Sequence, residues 1–448
     1  MIKKNVITNN LSSYKVKELS GIISPPSDKS ISHRALLFSA LAIGTSVISN
    51  LLRSDDVLRM VKALKILGVK ITKRNNSYYV IGVGLHGFHT PKTHIDCGNS
   101  GTLARILLGA LGGSEISATL VGDISLSSRP MDRVINPLKK MGIQFDSMNN
   151  KLPLIVKGTN DILPIRYVSP ISSAQVKTTI LLAGLNARGT SEVIEPYSSR
   201  NHSESLLKYY GADIKYNTQK SGKNKVLITG GTILKSCNII VPGDISSASF
   251  ALIAATIIPG SYIKILNVGI NYFRSGILEA LDLMGAKISL ENKIINDYDE
   301  PLADIVVKYS KLKGIKLDSS YSARMIDEYP ILAIAAAVAK GKTKLCGLAE
   351  LRHKESDRFM AIINGLENCG IKVESKKDDI IIHGNSEVMG GTTIDCKFDH
   401  RIAMSFIVLG ALSKKPIKVI GCNSIATSYP TFISEMNEIG MDIRANEQ

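Results

Sequence analysis

Six glycines constrain this chain more than any other feature. Gly68, Gly142, Gly211, Gly285, Gly370 and Gly440 stand 74, 69, 74, 85 and 70 residues apart. Each closes an amphipathic stretch with Lys and Glu on one face: 57–68, 131–142, 204–211, 276–285, 357–370 and 434–440. A run of alternating character follows each one, as a strand would. Between them lies a second element, an apolar helix entered through a Ser/Asp/Asn-rich turn and left near a glycine. It spans 27–44, 98–113, 172–189, 246–260 and 325–341, and a sixth copy, 398–415, leaves at Lys415. The entry residues are helix N-cap types and the closing glycines suit C-caps. A β-branched run follows each exit, such as Thr45-Ser46-Val47-Ile48. The pattern predicts six units of strand, helix, strand, helix, strand. The period is longer than the ~20–50 residues of the usual solenoids. At 448 residues the chain exceeds what one core serves, so two domains of three units are expected. Pro242-Gly243-Asp244 is a candidate boundary.

The entry helices read as buried. The stretches 246–258 and 331–339 are apolar almost all round, whereas the amphipathic helices belong outside. A buried helix leaves orphan N–H groups and a partial positive charge at its N-terminus. Several such ends aimed at one cleft suit small polyanions. The net charge of +16 also attracts anions, without choosing among nucleic acid, an acidic membrane and phosphorylated metabolites. Nucleic-acid binding would call for aromatics interleaved with cations, but aromatics make up 5% and tryptophan is absent. No apolar run is long enough to span a bilayer. The start, Met1-Ile2-Lys3-Lys4-Asn5-Val6, lacks the pattern of a secretory signal, so the cytoplasm is the expected compartment. None of the six cysteines sits in a Cys-x-x-Cys pair or near a histidine at zinc-finger spacing. No metal, cofactor or nucleic-acid partner is expected.

The helix entries hold the candidate site. Unit one has Ser27-Asp28-Lys29-Ser30-Ile31-Ser32-His33-Arg34, with Lys29/His33 and Ser30/Arg34 spaced i,i+4. A cation there opposes the dipole and is tolerated when an anion completes the site. Unit two has Asn99-Ser100-Gly101-Thr102-Leu103-Ala104-Arg105, where Gly101 lets a ligand approach the backbone. Arg129 then precedes Pro130, read as the first position of a helix, which sets another cation beside a positive helix end. Unit three has Ser172-Ser173-Ala174-Gln175-Val176-Lys177, whose hydroxyls, amide and ammonium could cradle a phosphate. Arg200 and His202 add a second cationic patch. Unit five has Asp327-Glu328 and Lys354-Glu355-Ser356-Asp357-Arg358, with Lys354 and Arg358 read as sharing a helix face. Unit six has Asp399-His400-Arg401, whereas the entry of unit four, Ser246-Ser247-Ala248-Ser249, shows no charge. Carboxylates among such cations suit acid–base work.

These motifs resemble the 5-enolpyruvylshikimate-3-phosphate synthase family, in particular its bacterial class II. The resemblance runs in order from about residue 20 to 435 and includes Arg129-Pro130-Met131-Asp132 and Asp399-His400-Arg401-Ile402-Ala403-Met404. It implies an α/β (α+β) fold of two globular domains, each of three βαβαββ repeats with buried helices, and a site in the cleft between them. It implies an N-terminal lobe of 22–242 and a C-terminal lobe of 1–21 plus 243–448. It implies a monomer that joins phosphoenolpyruvate to the 5-hydroxyl of shikimate 3-phosphate without a cofactor. Lys29, Ser30, Arg34, Ser173, Ala174, Gln175 and Arg200 would hold shikimate 3-phosphate, together with Asp327 and Lys354. Lys29, Gly101, Arg129, Gln175, Arg358 and Arg401 would hold phosphoenolpyruvate. Asp327, Lys354, Glu355 and Lys29 would be catalytic. Two departures stand out. Thr427 occupies a position where many members carry lysine, so Arg401 or Arg358 must carry that share of the phosphate. Arg200 lies where other members use tyrosine. The sister family that acts on UDP-N-acetylglucosamine shares the repeats. It usually has a Lys-Asn-Ala run and a loop cysteine, where this chain has Lys29-Ser30-Ile31 and no cysteine in the segment after Gly101.

Overall fold

The computed structural model describes residues 8–216, 223–385 and 387–446. They form two compact units. An N-terminal unit comprises Ser27–Val241 and Ile295–Glu300; a C-terminal unit comprises Met1–Pro26, Pro242–Ile294 and Pro301–Gln448. The expected division after residue 21 falls inside the strand Ser20–Ile23, which pairs in parallel with Tyr262–Ile265 of the C-terminal unit. Asn10–Tyr14 joins that unit too, between Ile417–Ile420 and Asp442–Ala445.

Six four-stranded sheets are described, three per unit. Each has one parallel pair at an edge, and in four of the six the two strands are joined across a buried helix; in the other two the pair is Ser20–Ile23 with Tyr262–Gly269 and Asn238–Ile240 with Ile43–Ser49, distant in the chain. In the second repeat Ile95–Asp96 leads into the helix Gly101–Gly112 and returns as Ser117–Val121, parallel to it. An outer helix, Asp132–Lys140, then leads to the hairpin Gln144–Ser147 and Leu154–Lys157. The unit is therefore βαβαββ, with one more strand than the apolar pattern alone predicts. The added edge strands are only two to four residues long, too short for alternation to register.

The inner helices of the N-terminal unit are Lys29–Leu41, Gly101–Gly112 and Ala174–Gly184. Those of the C-terminal unit are Ile245–Ile257, Tyr329–Val338 and His400–Gly410. Every residue of Ile245–Ile257 and of His400–Gly410 is buried. The six outer glycines of the repeat all adopt positive φ, from +84° to +112°, the left-handed helix exit that favours glycine. Gly113 caps the inner helix Gly101–Gly112 as expected, but three other inner helices end differently. Ala42, Ile258 and Ala339 are extended caps, so the chain turns straight into the next strand and the expected closing glycines lie beyond the helix.

Close packing of inner helices has its own signature in the N-terminal unit. A Cβ at Gly109 would lie 2.2 Å from the Thr179 carbonyl oxygen of the neighbouring helix. Backbone cannot yield as a side chain can, so Gly109→Ala should destabilise the protein by about 1–3 kcal/mol, the usual cost of overpacking. Urea denaturation checks this; an unchanged midpoint would rule out the contact.

Candidate functional site

In the N-terminal unit the starts of the three inner helices are stitched together. Asp28 Oδ1 caps Lys29–Leu41 by accepting from Ile31 N at 2.7 Å, and Ser100 and Ser173 cap the other two. Lys29 Nζ lies 3.2 Å from Asp56 Oδ2 at the start of the first outer helix. Arg200 donates from Nη1 to Ser30 Oγ at 3.0 Å. Gln175 bridges two helices: its Oε1 accepts from Arg105 Nη1 at 2.8 Å and its Nε2 donates to Thr102 Oγ1 at 2.9 Å. Gly101 sits against both cations of its repeat, since a Cβ there would lie 3.0 Å from Arg105 Nη1 and 3.3 Å from Arg129 Nη1. Ser30 and Arg200, next to Lys29, thus form one group and Gln175, Gly101 and Arg129, gathered about Arg105, another, and Ser173-Ala174 opens the helix that carries Gln175.

Several sequence expectations change in this unit. Arg34 is 2% exposed and donates to Ser203 Oγ at 2.7 Å, Thr178 Oγ1 at 2.9 Å and the Ser30 carbonyl at 3.0 Å. It therefore braces two helices from within. Lys177 is not a surface ammonium for a phosphate; it is buried between Glu195 and Glu204 at 2.9 and 2.7 Å. His202 is buried 3.3 Å from Glu300 and adds no surface charge. His33 is fully buried, and burial, with Lys29 and Arg34 nearby, pushes its pKa down to about 3, so it is neutral. Pro130 precedes the outer helix rather than opening it. Arg129 instead ends the short helix Ile124–Ser128, donating to Asn99 Oδ1 at 2.7 Å and Ser125 Oγ at 3.0 Å. It therefore sits at a negative helix end, where a cation is favoured.

In the C-terminal unit the charges gather around Arg358. Its side chain is 1% exposed, and three carboxylates share it. Nε donates to Asp399 Oδ2 at 2.8 Å, Nη1 to Asp327 Oδ1 at 3.2 Å and Nη2 to Glu355 Oε2 at 2.6 Å. Burial alone would lower the Arg358 pKa, yet the three carboxylates raise it further above its ordinary value. Lys354 Nζ stands 3.3 Å from Asp327 Oδ1, and Arg401 Nη1 donates to the Asp327 carbonyl at 3.1 Å. Asp327, Glu355 and Lys354 keep part of their surface, at 16, 21 and 26%. One buried cation thus holds a group of two carboxylates and an ammonium that keep contact with solvent.

Two local readings are corrected here. Lys354 is extended and follows the short helix Ala349–His353, and the outer helix begins only at Arg358. Lys354 and Arg358 therefore meet through Asp327, not along a helix face. The fourth repeat is also charged. Asp244 caps its inner helix, and Arg274 donates to Asp244 Oδ1 at 2.9 Å and Ser246 Oγ at 2.6 Å. Buried Glu328 completes that cluster, accepting from Ser246 Oγ and lying 3.9 Å from Arg401. Asp244 looked like part of a Pro-Gly-Asp linker, which hid it. At Thr427, Oγ1 lies 3.4 Å from His400 Nδ1 and donates to the Ser424 carbonyl.

Known proteins share this arrangement of repeats. Residues 13–436 match the family described as EPSP synthase (3-phosphoshikimate 1-carboxyvinyltransferase). The 3-phosphoshikimate 1-carboxyvinyltransferase of Paramagnetospirillum magneticum is 44% identical over 441 residues, covering 98% of this chain and 99% of that protein. The protein of the same name from Coxiella burnetii is 44% identical over 95% of this chain and 96% of its own. A solved structure of EPSP synthase from Acinetobacter baumannii superposes with a TM-score of 0.85 at 39% identity, over 98% of this chain and all of that one. Similarity of this depth along nearly the whole length shows that the chain belongs to the EPSP synthase family.

Proposed function

We propose that this protein transfers the enolpyruvyl group of phosphoenolpyruvate to the 5-hydroxyl of shikimate 3-phosphate and releases phosphate. The observation that carries this reading is the group of Asp327, Lys354 and Glu355 held around buried Arg358. The addition must take a proton from a hydroxyl and give one to a carbon, so it needs a base and an acid side by side.

Shikimate 3-phosphate would be held by Lys29, Ser30, Ser173, Ala174, Gln175 and Arg200, with Arg34 bracing that surface from behind. Phosphoenolpyruvate would meet Lys29, Gly101, Arg129, Gln175 and Arg401, and Arg358 if a ligand displaces one of its carboxylates. The 5-hydroxyl oxygen attacks C2 of phosphoenolpyruvate while Asp327 accepts the hydroxyl proton. C3 receives a proton and becomes a methyl group, leaving a tetrahedral intermediate. Lys354 is the better donor for that proton, because an ammonium carries protons to give. Glu355, ion-paired with Arg358, is an acceptor and suits the reverse duty. It would remove a methyl proton as the bond from C2 to the phosphate oxygen breaks, which restores the double bond. The cations stabilise the charge of departing phosphate.

The two compact units would serve as the two lobes of the enzyme, which would act as a monomer in the cytoplasm. Among the described residues no helix is long and apolar enough to cross a membrane.

Mixing the protein with both substrates should release inorganic phosphate, and no release would end this reading. The Asp327→Ala variant should lose on the order of 10²–10⁴-fold in turnover, the usual worth of a positioned acid or base. Calorimetry should find that it still binds shikimate 3-phosphate; near-native turnover would reassign the base. Because the steps use side-chain acids, bases and cations, prior treatment with a strong chelator should leave the rate unchanged. A large loss would demand a different mechanism.

A further inference from the structure

Lys177, Glu195 and Glu204 form a buried charged cluster in the N-terminal unit that the proposed chemistry does not use. Each is 1% exposed. Lys177 Nζ donates to Glu195 Oε2 at 2.9 Å and lies 2.7 Å from Glu204 Oε1. Taking such charges out of water costs several kcal/mol per ion, and a packed apolar trio is often as stable. Stability is therefore a poor reason for the cluster, and its hydrogen bonds suggest another.

Glu195 ties two segments together. Its Oε1 accepts from the Ser173 backbone N–H at 2.9 Å and from Ser199 Oγ at 2.7 Å. Its Oε2 accepts from Asn224 Nδ2 at 3.3 Å as well as from Lys177. Lys177 also reaches the Ser199 carbonyl at 3.5 Å. A second tie runs beside it, where Ser172 Oγ donates to the Tyr197 carbonyl at 2.7 Å and accepts from Tyr197 N at 3.1 Å. One carboxylate thus fixes both the start of the helix Ala174–Gly184 and the residue before Arg200. Arg200 then reaches across to Ser30.

We infer that Glu195, held by Lys177, is a positioning residue for the shikimate 3-phosphate site, setting Ser173 and Arg200 at a fixed spacing without touching the ligand. This rests on the proposal that Ser173 and Arg200 hold that substrate. The ammonium has a second consequence. A lone carboxylate behind a phosphate site would repel the ligand, and Lys177 cancels that charge. Burial raises the Glu204 pKa above its ordinary value, against the pull of the Lys177 ammonium.

The test is to measure shikimate 3-phosphate binding by calorimetry, and full kinetics, for wild type, Glu195→Gln and Ser199→Ala. Weakening a charge-assisted hydrogen bond should raise Kd and KM for shikimate 3-phosphate by about tenfold in Glu195→Gln, and by about threefold in Ser199→Ala. KM for phosphoenolpyruvate and kcat should stay within about twofold of wild type, because Glu195 touches no reacting atom. If Glu195→Gln does not fold, Ser199→Ala, which removes one hydroxyl, carries the test. Unchanged affinity in a folded variant, or a uniform loss that follows melting temperature, would overturn the positioning role alone. Failure of the wild-type protein to bind shikimate 3-phosphate would overturn the site assignment with it.

Discussion

Each of the six repeats carries a polar contact between the start of its inner helix and the segment that opens its outer helix. The sequence separation hardly varies. Lys29 meets Asp56, Lys177 meets Glu204, Asp327 meets Lys354 and His400 meets Thr427, all 27 residues apart. Asn99 meets Arg129 and Asp244 meets Arg274, both 30 apart. An inner helix that is apolar on every side must still satisfy its first N–H groups, so polar side chains collect at that end. The outer segment supplies the counterpart. The partners differ from repeat to repeat while the geometry persists, which allows one architecture to hold six different chemistries.

Those differences divide the labour. The first and third repeats put the cation on the inner helix, and the fourth and fifth put the acid there. The third and fourth pairs are fully buried and act as braces, whereas Lys29 and the Asp327–Lys354 pair retain surface. Partial exposure is what lets a structural contact become a reactive one. In the sixth repeat the outer partner is an uncharged hydroxyl. Thr427 faces His400, and the nearby cations are Arg401 and Arg358. Arg358 is engaged by Asp399 of the sixth repeat as well as by the two carboxylates of the fifth, so these two repeats cannot be separated functionally.

The fold was legible where the signal was local and repeated. Glycines at left-handed helix exits recur because the same turn recurs, and all six have the backbone angles that require them. The caps Asp28, Ser100 and Ser173 were legible for the same reason. What escaped depends on distance along the chain. Nothing near Lys177 announces Glu195 and Glu204, so an ammonium beside two serines reads as a phosphate ligand when it is a buried brace. Asp56, as the partner of Lys29, was invisible for the same reason. The edge strands are shorter than any periodicity can reveal, and Asn10–Tyr14 pairs with residues more than 400 positions away.

Misreadings of backbone state had a different cause. Lys354 and Arg358 have helical spacing, but Asp357 caps the helix by accepting from Met360 N at 3.0 Å, so the helix can begin only at Arg358. The non-helical run before it lets Lys354 and Glu355 reach Asp327 and Arg358 separately. Had the helix started four residues earlier, Lys354 and Arg358 would have stood side by side on one face, two cations repelling each other. The late start gives each a carboxylate to share instead. Asp327 accepts from both at 3.3 and 3.2 Å, and that shared acceptor makes the group chemically useful. A carboxylate between a buried guanidinium and a partly exposed ammonium is oriented by one and adjoined by a proton source in the other.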